Sequence, residues 1–442
     1  MAPQFLVGSE ADRWRVTAHE TIFALSSGAV PAGIAVIRAS GPGAPGLLDT
    51  LILGVRPAPR YASLRTIVGA DGGKLDRGLV LFFPSPNSAT GAEVVEFHIH
   101  GGPAVVAALL AAIGSQPNCR LARPGEFTRR GFDAGRLDLS QVEGIADLVA
   151  AETEAQRIAA LAQYGGSLKC AIERWQDALT SALAATEAAI DFSDEDDVGG
   201  DWRSEDANLA SILGEMRDAL ADEHRARALR DGLTIVVSGP PNVGKSSLVN
   251  ALTNDRVSIV SALPGTTRDA ISVRLDLGGM NVTLTDTAGI RSTTDAIESE
   301  GVEIAERLAG EADLVLSLYC DGMPPASGVP VRTKIDLSGN ASAEQLAVSS
   351  TTGEGISSLL VWLGNWARDA VRPGEPPLLM RSRQRAACRA AADEITRAVD
   401  GTDIVLRAES LRMARRELGL ITGQVAVEEV LDVLFGQFCI GK

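Results

Sequence analysis

Residues 239–246 (GPPNVGKS) constrain the fold more than any other stretch of this sequence. They fit the phosphate-loop pattern G-x-x-x-x-G-K-[ST], with an apolar run before them at residues 233–237 and a helix-like run after them at residues 247–252. Two glycines let the backbone curl so that successive N–H groups and the positive end of the helix face phosphate oxygens. An ordinary glycine-rich turn is the alternative. The full pattern with its flanks favours a strand, a phosphate-binding loop and a helix.

The last two residues of this stretch carry the charge and the metal-binding oxygen. The Lys245 ammonium suits β- and γ-phosphates, and the Ser246 hydroxyl is a hard oxygen suited to Mg²⁺. Together they predict binding of a nucleoside triphosphate with Mg²⁺.

Length, charge and cysteine usage limit the class of protein. A chain of 442 residues predicts two to four domains. Because 57 acidic residues outnumber 41 basic ones, a nucleic acid would need a local basic patch. Five scattered cysteines without a C-x-x-C pair argue against a disulfide framework or a zinc site. The N-terminus lacks a basic stretch followed by an apolar core, and no apolar run reaches about 18 residues, which predicts a cytoplasmic protein without a membrane partner.

The periodicity of apolar residues changes along the chain. Short β-rich runs fill residues 21–131, and helical spacing then predicts long helices over residues 137–168, 171–190 and 204–229. Strands alternate with helical runs over residues 232–368, and helical spacing returns over residues 383–438. We therefore expect a multidomain α+β and α/β protein whose nucleotide-binding domain is inserted into a helical domain. The expected boundaries are 1–134, 135–230, 231–371 and 372–442.

Four further stretches follow in the order and spacing of a GTPase: 265–269 (GTTRD), 286–289 (DTAG), 333–336 (TKID) and 349–355 (SSTTGEG). In the first, Thr267 is the expected Mg²⁺ ligand. In the second, Asp286 suits an indirect contact with Mg²⁺, and the Gly289 N–H suits the γ-phosphate. In the third, the Asp336 carboxylate can accept from two guanine N–H groups that adenine lacks.

Two departures from the usual GTPase pattern stand out. Ile290 occupies the position of a water-orienting glutamine. Thr333 replaces the usual asparagine, which shortens the hydrogen-bonding reach. In addition, only eleven residues rich in glycine and proline separate the run at 314–319 from Val331. Since a parallel crossover usually needs a dozen or more residues, we predict a crossover without a full helix.

With these elements placed, the chain resembles the MnmE (TrmE) family of tRNA-modification GTPases. The resemblance rests on GIAVIRASGP from position 33, RPGEFTRRGFDAGRLDLSQVEGIADL from 123, EAAIDFSDEDD from 187 and FCIGK from 438. It implies an N-terminal folate-binding and dimerisation domain of α+β type, a discontinuous all-α helical domain and an inserted Ras-like P-loop GTPase domain.

The same resemblance implies an activity and partners. Family members are homodimers whose GTPase is stimulated by K⁺ and by dimerisation of the G domains. With an MnmG (GidA)-type FAD protein, in a heterotetramer or larger complex, they modify C5 of the wobble uridine of tRNA. The one-carbon unit comes from 5,10-methylene- or 5-formyl-tetrahydrofolate.

The resemblance also implies site residues. K⁺ ligands fall on Asn242, Ser261, Leu263 and Thr266, and Mg²⁺ ligands on Ser246 and Thr267. Glu298 matches the catalytic glutamate that orients water, beside Lys245; a solvated helix face is the alternative for Glu298. The expected GTP-binding residues are Asn242, Val243, Gly244, Lys245, Ser246, Ser247, Ser261, Ala262, Leu263, Pro264, Gly265, Thr266, Thr267, Asp286, Thr287, Ala288, Gly289, Thr333, Lys334, Asp336, Ser349 and Ser350.

Folate contacts carry over to Arg38, Glu96, Arg136 and Lys442. A basic residue suits the glutamyl tail, and a carboxylate suits the pterin amino group and ring N–H. A buried ion pair is the alternative for Glu96, and a surface charge is the alternative for Arg38. The segment 26–33 (SSGAVPAG) departs from the glycine-rich pattern that the family has at this position.

Three further residues leave alternatives open. Cys439 is either a core thiol or a catalytic nucleophile towards uracil. His98 and His100 alternate along one predicted strand and are read as structural or ligand-lining rather than metal-binding. Two other functions also remain open, a GTP-switched ribosome-assembly factor and a degenerate binding module without turnover.

Overall fold

The computed structural model describes residues 20–191, 202–254, 271–286, 307–320, 322–338, 346–371, 374–425, 428–436, 438 and 440–441. The chain divides into two compact units, one of residues 1–146 with 422–442 and the other of residues 147–421. Among the helices of the described residues, none combines the length and the apolar character needed to cross a bilayer.

The strands are β1 (Thr21–Leu25), β2 (Ala32–Ser40), β3 (Ile52–Leu53), β4 (Ser63–Val68), β5 (Lys74–Phe83), β6 (Val94–Gly101), β7 (Cys119–Leu121), β8 (Leu233–Ser238), β9 (Ile271–Leu277), β10 (Met280–Asp286), β11 (Leu314–Tyr319) and β12 (Val329–Arg332). The helices are α1 (Ala44–Thr50), α2 (Pro103–Gly114), α3 (Glu126–Asp133), α4 (Leu139–Ala150), α5 (Glu154–Tyr164), α6 (Ser167–Asp191), α7 (Asp206–Ala221), α8 (Glu223–Asp231), α9 (Lys245–Asn254), α10 (307–311), α11 (Ile335–Ser338), α12 (Ile356–Val371), α13 (Ser382–Asp400), α14 (Ile404–Thr422) and α15 (Glu428–Gly436).

The first unit is built on a seven-stranded sheet in the order β3-β4-β5-β6-β2-β1-β7. β1 and β7 are parallel, and the other neighbouring pairs are antiparallel. Since side chains alternate between faces, β2 sends Ala35 and Ile37 to one face and Arg38 to the other. The first face forms the main core of this unit with Leu47 of α1 and Leu109 of α2.

The second face of the sheet is covered only in part. Phe127 of α3 packs there with Ile22 and Ala24 of β1. Further along this face, Arg38 of β2 lies opposite Glu96 of β6 in the strand register. The alternation of apolar and polar residues in β2 and β6 therefore leaves a half-open polar face.

The C-terminal residues return to this sheet. Ile440 forms a β-bridge with Pro124, and Gly441 has a φ of 101°. A Cβ atom at Gly441 would lie 2.1 Å from the carbonyl oxygen of Leu25, at the end of β1. Only glycine allows this approach, so the glycine of the FCIGK stretch fixes the end of the chain against the N-terminal sheet.

The second unit contains a five-stranded sheet in the order β12-β11-β8-β10-β9. β9 is antiparallel to β10, and the other neighbouring pairs are parallel. The central strands β8 and β11 are mainly apolar because both faces are buried, as in doubly wound sheets. Ile235 and Leu316 belong to this core together with Leu359 of α12.

A separate core in the same unit consists of helices. Trp175 of α6, Met216 of α7 and Ile395 of α13 are buried in one cluster with Leu411 of α14. Helices α6, α7, α13 and α14 therefore have a hydrophobic core of their own, whereas α5 and α8 contribute Ala159 and Leu229 to the core of the sheet.

The predicted long helices are interrupted, and in this respect the sequence prediction was wrong. The helix expected over residues 137–168 is two helices, because Thr153 and Gln156 form a capping box that begins α5. The helix expected over residues 204–229 breaks at Asp222 into α7 and α8. Each of the shorter helices still buries one face, although the two helices at each break pack into different cores: α4 and α5 lie in separate clusters, and so do α7 and α8.

The connection from β11 to β12 was predicted to lack a full helix. Among its described residues, 320 and 322–328, none is helical, and the two strands are parallel neighbours. Gly328 has a φ of 75°, and a Cβ there would lie 2.8 Å from the carbonyl oxygen of Val315. The prediction is confirmed for these residues.

Candidate functional site

The loop after β8 has the backbone conformation that enclosing an anion requires. Gly239, Asn242 and Gly244 have positive φ angles of 145°, 61° and 103°. A Cβ at Gly239 would lie 2.7 Å from the carbonyl oxygen of Leu318, so this glycine is needed for close packing on β11. A Cβ at Gly244 would meet no atom within 4 Å, which leaves the backbone there open. Such loops present N–H groups to phosphate oxygens.

Lys245 begins α9 and lies over this loop. Its side chain is buried, with the residue only 7% exposed, and Nζ donates to the carbonyl oxygens of Gly239 at 2.8 Å and Pro240 at 3.1 Å. The ammonium group is therefore held at the phosphate loop, where the motif predicts it to act.

A hydroxyl and a carboxylate meet at the edge of the loop. Ser246 Oγ donates to Asp286 Oδ2 at 2.5 Å, and Asp286 is 1% exposed at the end of β10. The parallel pairing of β10 with β8 brings these two residues together. Two hard oxygen groups side by side form a donor set that suits Mg²⁺.

The TKID stretch is tied to the phosphate loop by two hydrogen bonds. Thr333 Oγ1 donates to the Val243 carbonyl oxygen at 2.7 Å, and Lys334 Nζ donates to the Asn242 carbonyl oxygen at 2.7 Å. The expected shorter reach of Thr333 therefore does not prevent contact with the loop. The sheet order β12-β11-β8 brings the end of β12 to the same edge as the end of β8.

The Asp336 carboxylate, which the sequence predicts to bind the guanine base, has a partner that the sequence did not predict. Ser349 Oγ donates to Asp336 Oδ1 at 2.6 Å, while Ser349 itself is fully buried. The Ser349 hydroxyl in turn accepts from the Thr352 N–H at 3.2 Å. Asp336 is exposed, so its remaining oxygen lone pairs face outwards.

The other predicted nucleotide residues divide into two groups. Ser247 lies on α9, and Ser350 lies in the turn after Ser349. The remainder lie outside the described residues, and these are Ser261, Ala262, Leu263, Pro264, Gly265, Thr266, Thr267, Thr287, Ala288, Gly289 and Glu298.

The predicted folate residues give a second, separate constellation. Arg38 Nε donates to Glu96 Oε1 at 2.9 Å, and His98 Nε2 lies 3.2 Å from Glu96 Oε2. The Arg38 guanidinium also lies over the Phe127 ring, 5.7 Å from its centre. Both oxygens of the Glu96 carboxylate therefore have a partner, and the ion pair weighed for Glu96 is formed with Arg38.

The remaining folate candidates are less constrained by the structure. Arg136 is exposed, and its Cγ lies 3.7 Å from the position of a Cβ at Gly91. Cys439 and Lys442 lie outside the described residues, although their neighbour Gly441 abuts Leu25 of β1.

His100 has a different carboxylate partner from His98. Its Nδ1 lies 2.8 Å from Asp76 Oδ1, and its main-chain N–H donates to Asp76 Oδ2 at 2.8 Å. Burial alone raises the pKa of Asp76, but the hydrogen bonds from His100 and from the Arg77 N–H outweigh it and lower that pKa. The two histidines therefore pair with separate carboxylates on the sheet.

Comparison with known proteins shows the family. Residues 21–136 match the family described as GTP-binding protein TrmE N-terminus, and residues 139–439 match the one described as MnmE helical domain. Curated relatives named tRNA modification GTPase MnmE are 45% identical in Brucella canis and 48% identical in Azorhizobium caulinodans. Each alignment covers 96% of this chain. It covers 98% of the Brucella canis relative and 99% of the Azorhizobium caulinodans relative. The chain belongs to the MnmE family.

Membership of the MnmE family confirms the resemblance and, with the phosphate-loop geometry, the prediction of a GTPase. Among solved structures, the G domain of the Thermotoga maritima FeoB iron transporter is 23% identical, with a TM-score of 0.23. The similarity covers 30% of this chain and 98% of the FeoB G-domain chain. A similarity of this size carries no conclusion about function.

Sequence reasoning missed two partners in this MnmE-family chain. One is Ser349 as the residue that orients Asp336, although Ser349 itself was predicted to bind GTP. The other is His98. It lies two residues after Glu96 on β6, so both side chains are on one face of the sheet, but the sequence did not predict that they are in contact.

Proposed function

We propose that this chain is a K⁺-stimulated GTPase, activated by dimerisation of its G domains, that takes part in modifying the wobble uridine of tRNA. The observation that carries the nucleotide part is the pair of hydrogen bonds from Thr333 and Lys334 to the phosphate loop. These two hydrogen bonds hold the TKID stretch, which would bind the base, next to the loop that would bind the phosphates. GTP would lie with its guanine at Asp336 and its phosphates at Lys245.

Mg²⁺ fits the oxygen atoms already brought together at the loop. Ser246 would bind the ion directly, with Thr267, while Asp286 would act through water. When bound, the ion would neutralise charge on the β- and γ-phosphates. Asp286 accepts a hydrogen bond from Ser246, which supports this assignment because it holds the hydroxyl oxygen beside the carboxylate.

K⁺ would complete the charge balance. Asn242, Ser261, Leu263 and Thr266 would surround it, and Glu298 would orient the attacking water. Support from the described residues comes from Asn242, which is exposed and has a φ of 61° beside the phosphate loop. A cation there would neutralise transition-state charge as an arginine finger does.

A phosphate-release assay in KCl and in NaCl, at two protein concentrations, tests the ion and the dimer together. We expect faster turnover in KCl and a higher rate per molecule at the higher concentration. Equal rates in the two salts would reject the K⁺ site, and no turnover in either would favour a binding module.

Glu298→Ala should keep GTP binding and lose hydrolysis.

A tetrahydrofolate derivative, 5,10-methylene- or 5-formyl-tetrahydrofolate, would bind on the half-open face of the N-terminal sheet. Arg38, Glu96, Arg136 and Lys442 would contact it, and Cys439 would lie nearby. The position of Gly441 against Leu25 supports this, because Leu25 pairs in register with Ile37, the neighbour of Arg38.

We further propose that the chain forms a homodimer through the same sheet face. Leu64 and Leu79 are cross-strand partners and are 50% and 42% exposed, and Leu53 is 52% exposed on the adjacent strand. Ile34, 65% exposed, lies on the same face at the level of His100. A second copy covering these apolar residues would also border the folate residues. We expect Leu64→Glu to shift the molecular mass in solution towards the monomer.

The cellular activity would involve an MnmG-type FAD protein, in a heterotetramer or larger complex, and tRNA in the cytoplasm. The relatives' name supports the part of this assignment that concerns tRNA modification. Mass analysis of tRNA nucleosides from cells lacking the gene tests it, and loss of the C5 modification at position 34 is expected. Normal wobble uridine would instead favour a ribosome-assembly factor.

A further inference from the structure

The loop that follows Ser349 closes on a glycine. Gly355 has a φ of 78°, and a Cβ there would lie 1.9 Å from the carbonyl oxygen of Ala347 and 3.2 Å from the Cα of Val348. A side chain at this position would therefore be strained by the backbone conformation and would also collide with main-chain atoms. Gly353 has a similar φ of 82°, but a Cβ there would meet no atom within 4 Å. The two glycines share the conformational requirement, and only Gly355 has the close approach.

The chain on both sides of this contact is fixed by other interactions. The Val348 N–H donates to the Arg332 carbonyl oxygen at 2.8 Å, so this segment is held beside β12. α12 begins directly after Gly355, and its first residue, Ile356, is 3% exposed in the core of the sheet. A side chain at Gly355 would therefore displace the exposed residues 351–354, which are held less firmly.

The loop that would move also holds the residue that contacts Asp336. The Ser349 N–H donates to the Glu354 carbonyl oxygen at 2.9 Å, and the Ser349 carbonyl oxygen accepts from the Gly353 N–H at 2.9 Å. These two main-chain hydrogen bonds position Ser349, whose hydroxyl donates to Asp336 Oδ1 at 2.6 Å. Displacement of residues 351–354 would break them and release the hydroxyl from the carboxylate.

We propose that Gly355 is a specificity-determining residue for guanine, and that it acts as a positioning residue through Ser349 and Asp336. The inference rests on the proposed function, in which guanine lies at Asp336. A carboxylate held in one orientation accepts from two guanine N–H groups that adenine lacks, so discrimination between the two bases depends on that orientation. The close approach at Gly355 therefore contributes to the preference for GTP over ATP.

Gly355→Ala and Gly353→Ala in the full chain are a matched pair for testing this role. Both place alanine at a similar positive φ, so the difference between them isolates the contact with Ala347. Competition titrations with non-hydrolysable analogues of GTP and ATP measure the preference. We expect it to fall about three- to tenfold in Gly355→Ala and less than about twofold in Gly353→Ala. A purely structural defect would weaken binding of both nucleotides alike, so equal preferences in the two variants overturn the proposal.

A double-mutant cycle with Ser349→Ala tests the route. If Gly355 acts through the Ser349 hydroxyl, adding Gly355→Ala to Ser349→Ala lowers the preference by less than about twofold more. Additive losses would show that Gly355 acts on the base by another route, and would overturn the proposal.

Thermal unfolding shows whether each variant is folded at the temperature of the titrations. If Gly355→Ala does not fold, Thr352→Val supplies a milder change at an exposed position, because it removes only the hydroxyl that accepts from the Glu354 N–H at 3.3 Å. The preference should then fall about twofold, and a parental preference in this variant overturns the proposal. A parent that does not prefer GTP over ATP would instead reject the proposed function, because guanine then does not lie at Asp336.

Discussion

The Thr333 hydroxyl donates a 2.7 Å hydrogen bond to the main-chain carbonyl of Val243. The other acceptor within reach, the Tyr319 carbonyl oxygen, is further away at 3.3 Å. Thr333 is 2% exposed, and its own N–H donates to the Tyr319 carbonyl at 2.8 Å. The Thr333 hydroxyl therefore reaches the phosphate loop, because the backbone beside it is already fixed against β11.

Thr333→Val removes this hydroxyl at nearly constant shape. We expect affinity for GTP to fall about tenfold, because the Val243 carbonyl loses its donor and the phosphate loop its tie to the TKID stretch. Isothermal titration with a non-hydrolysable GTP analogue measures the change. Thr333→Ser keeps the hydroxyl and should bind within about threefold of the parent. Equal affinities for the valine and serine variants would show that the tie does not matter for binding.

Ser349→Ala releases the Asp336 carboxylate from its 2.6 Å hydrogen bond. We expect about three- to tenfold weaker GTP binding and a smaller preference for GTP over ATP, since the carboxylate is no longer held in one orientation. Competition titrations with the two nucleotides measure both effects. Ser358→Ala, at an exposed serine on α12, is the control and should change little. An unchanged preference in Ser349→Ala would contradict the orienting role.

His98→Ala removes one of the two partners of the Glu96 carboxylate. If Glu96 binds the pterin, we expect about three- to tenfold weaker binding of 5-formyl-tetrahydrofolate, measured by titration. His98→Gln keeps an N–H donor and should restore most of the affinity. His100→Ala is the matched control, because His100 pairs with Asp76 and not with Glu96. If the parent binds 5-formyl-tetrahydrofolate and none of the three variants changes the affinity, His98 is not part of the site. If the parent does not bind it, the folate assignment itself is rejected.

We expect Glu126 to make the stability of the N-terminal unit sensitive to acid. Burial raises the pKa of this carboxyl, but hydrogen bonds from the Arg120 guanidinium and the Arg123 N–H outweigh it and hold the pKa below its usual value. A lowered pKa stabilises the fold above the pKa of the unfolded chain, and this stability is lost as the pH falls through the lower folded value. Unfolding in urea at pH 7 and at lower pH should show this loss.

Glu126→Gln should cost about 2–3 kcal/mol of stability at neutral pH and make the acid dependence shallower. Glu154→Gln, which removes an exposed ion pair with Arg157, is the control and should change neither property much. If Glu126→Gln loses stability at low pH to the same extent as the parent, another group controls that loss.

Local patterns predicted much of the nucleotide site. The phosphate loop, Asp286 and the TKID stretch were recognised because each needs its residue types in a short continuous segment. The crossover without a helix was predicted from the short length of the connection and its glycine and proline content. The breaks at Thr153 and Asp222 were not predicted, since apolar spacing reports which face is buried and not whether the helix axis continues.

By itself the sequence determined the phosphate-loop pattern and the family to which the chain belongs, because glycine, lysine and hydroxyl groups at fixed spacing have a chemical meaning before the chain folds. Only the tertiary structure decided the partners of those residues. Val243 and Thr333 are 90 positions apart, and Ser349 meets Asp336 only after β12 and the turn beyond it are in place. Side-chain hydrogen bonds depend on distances of a few tenths of an ångström, and the packing of the sheet sets those distances.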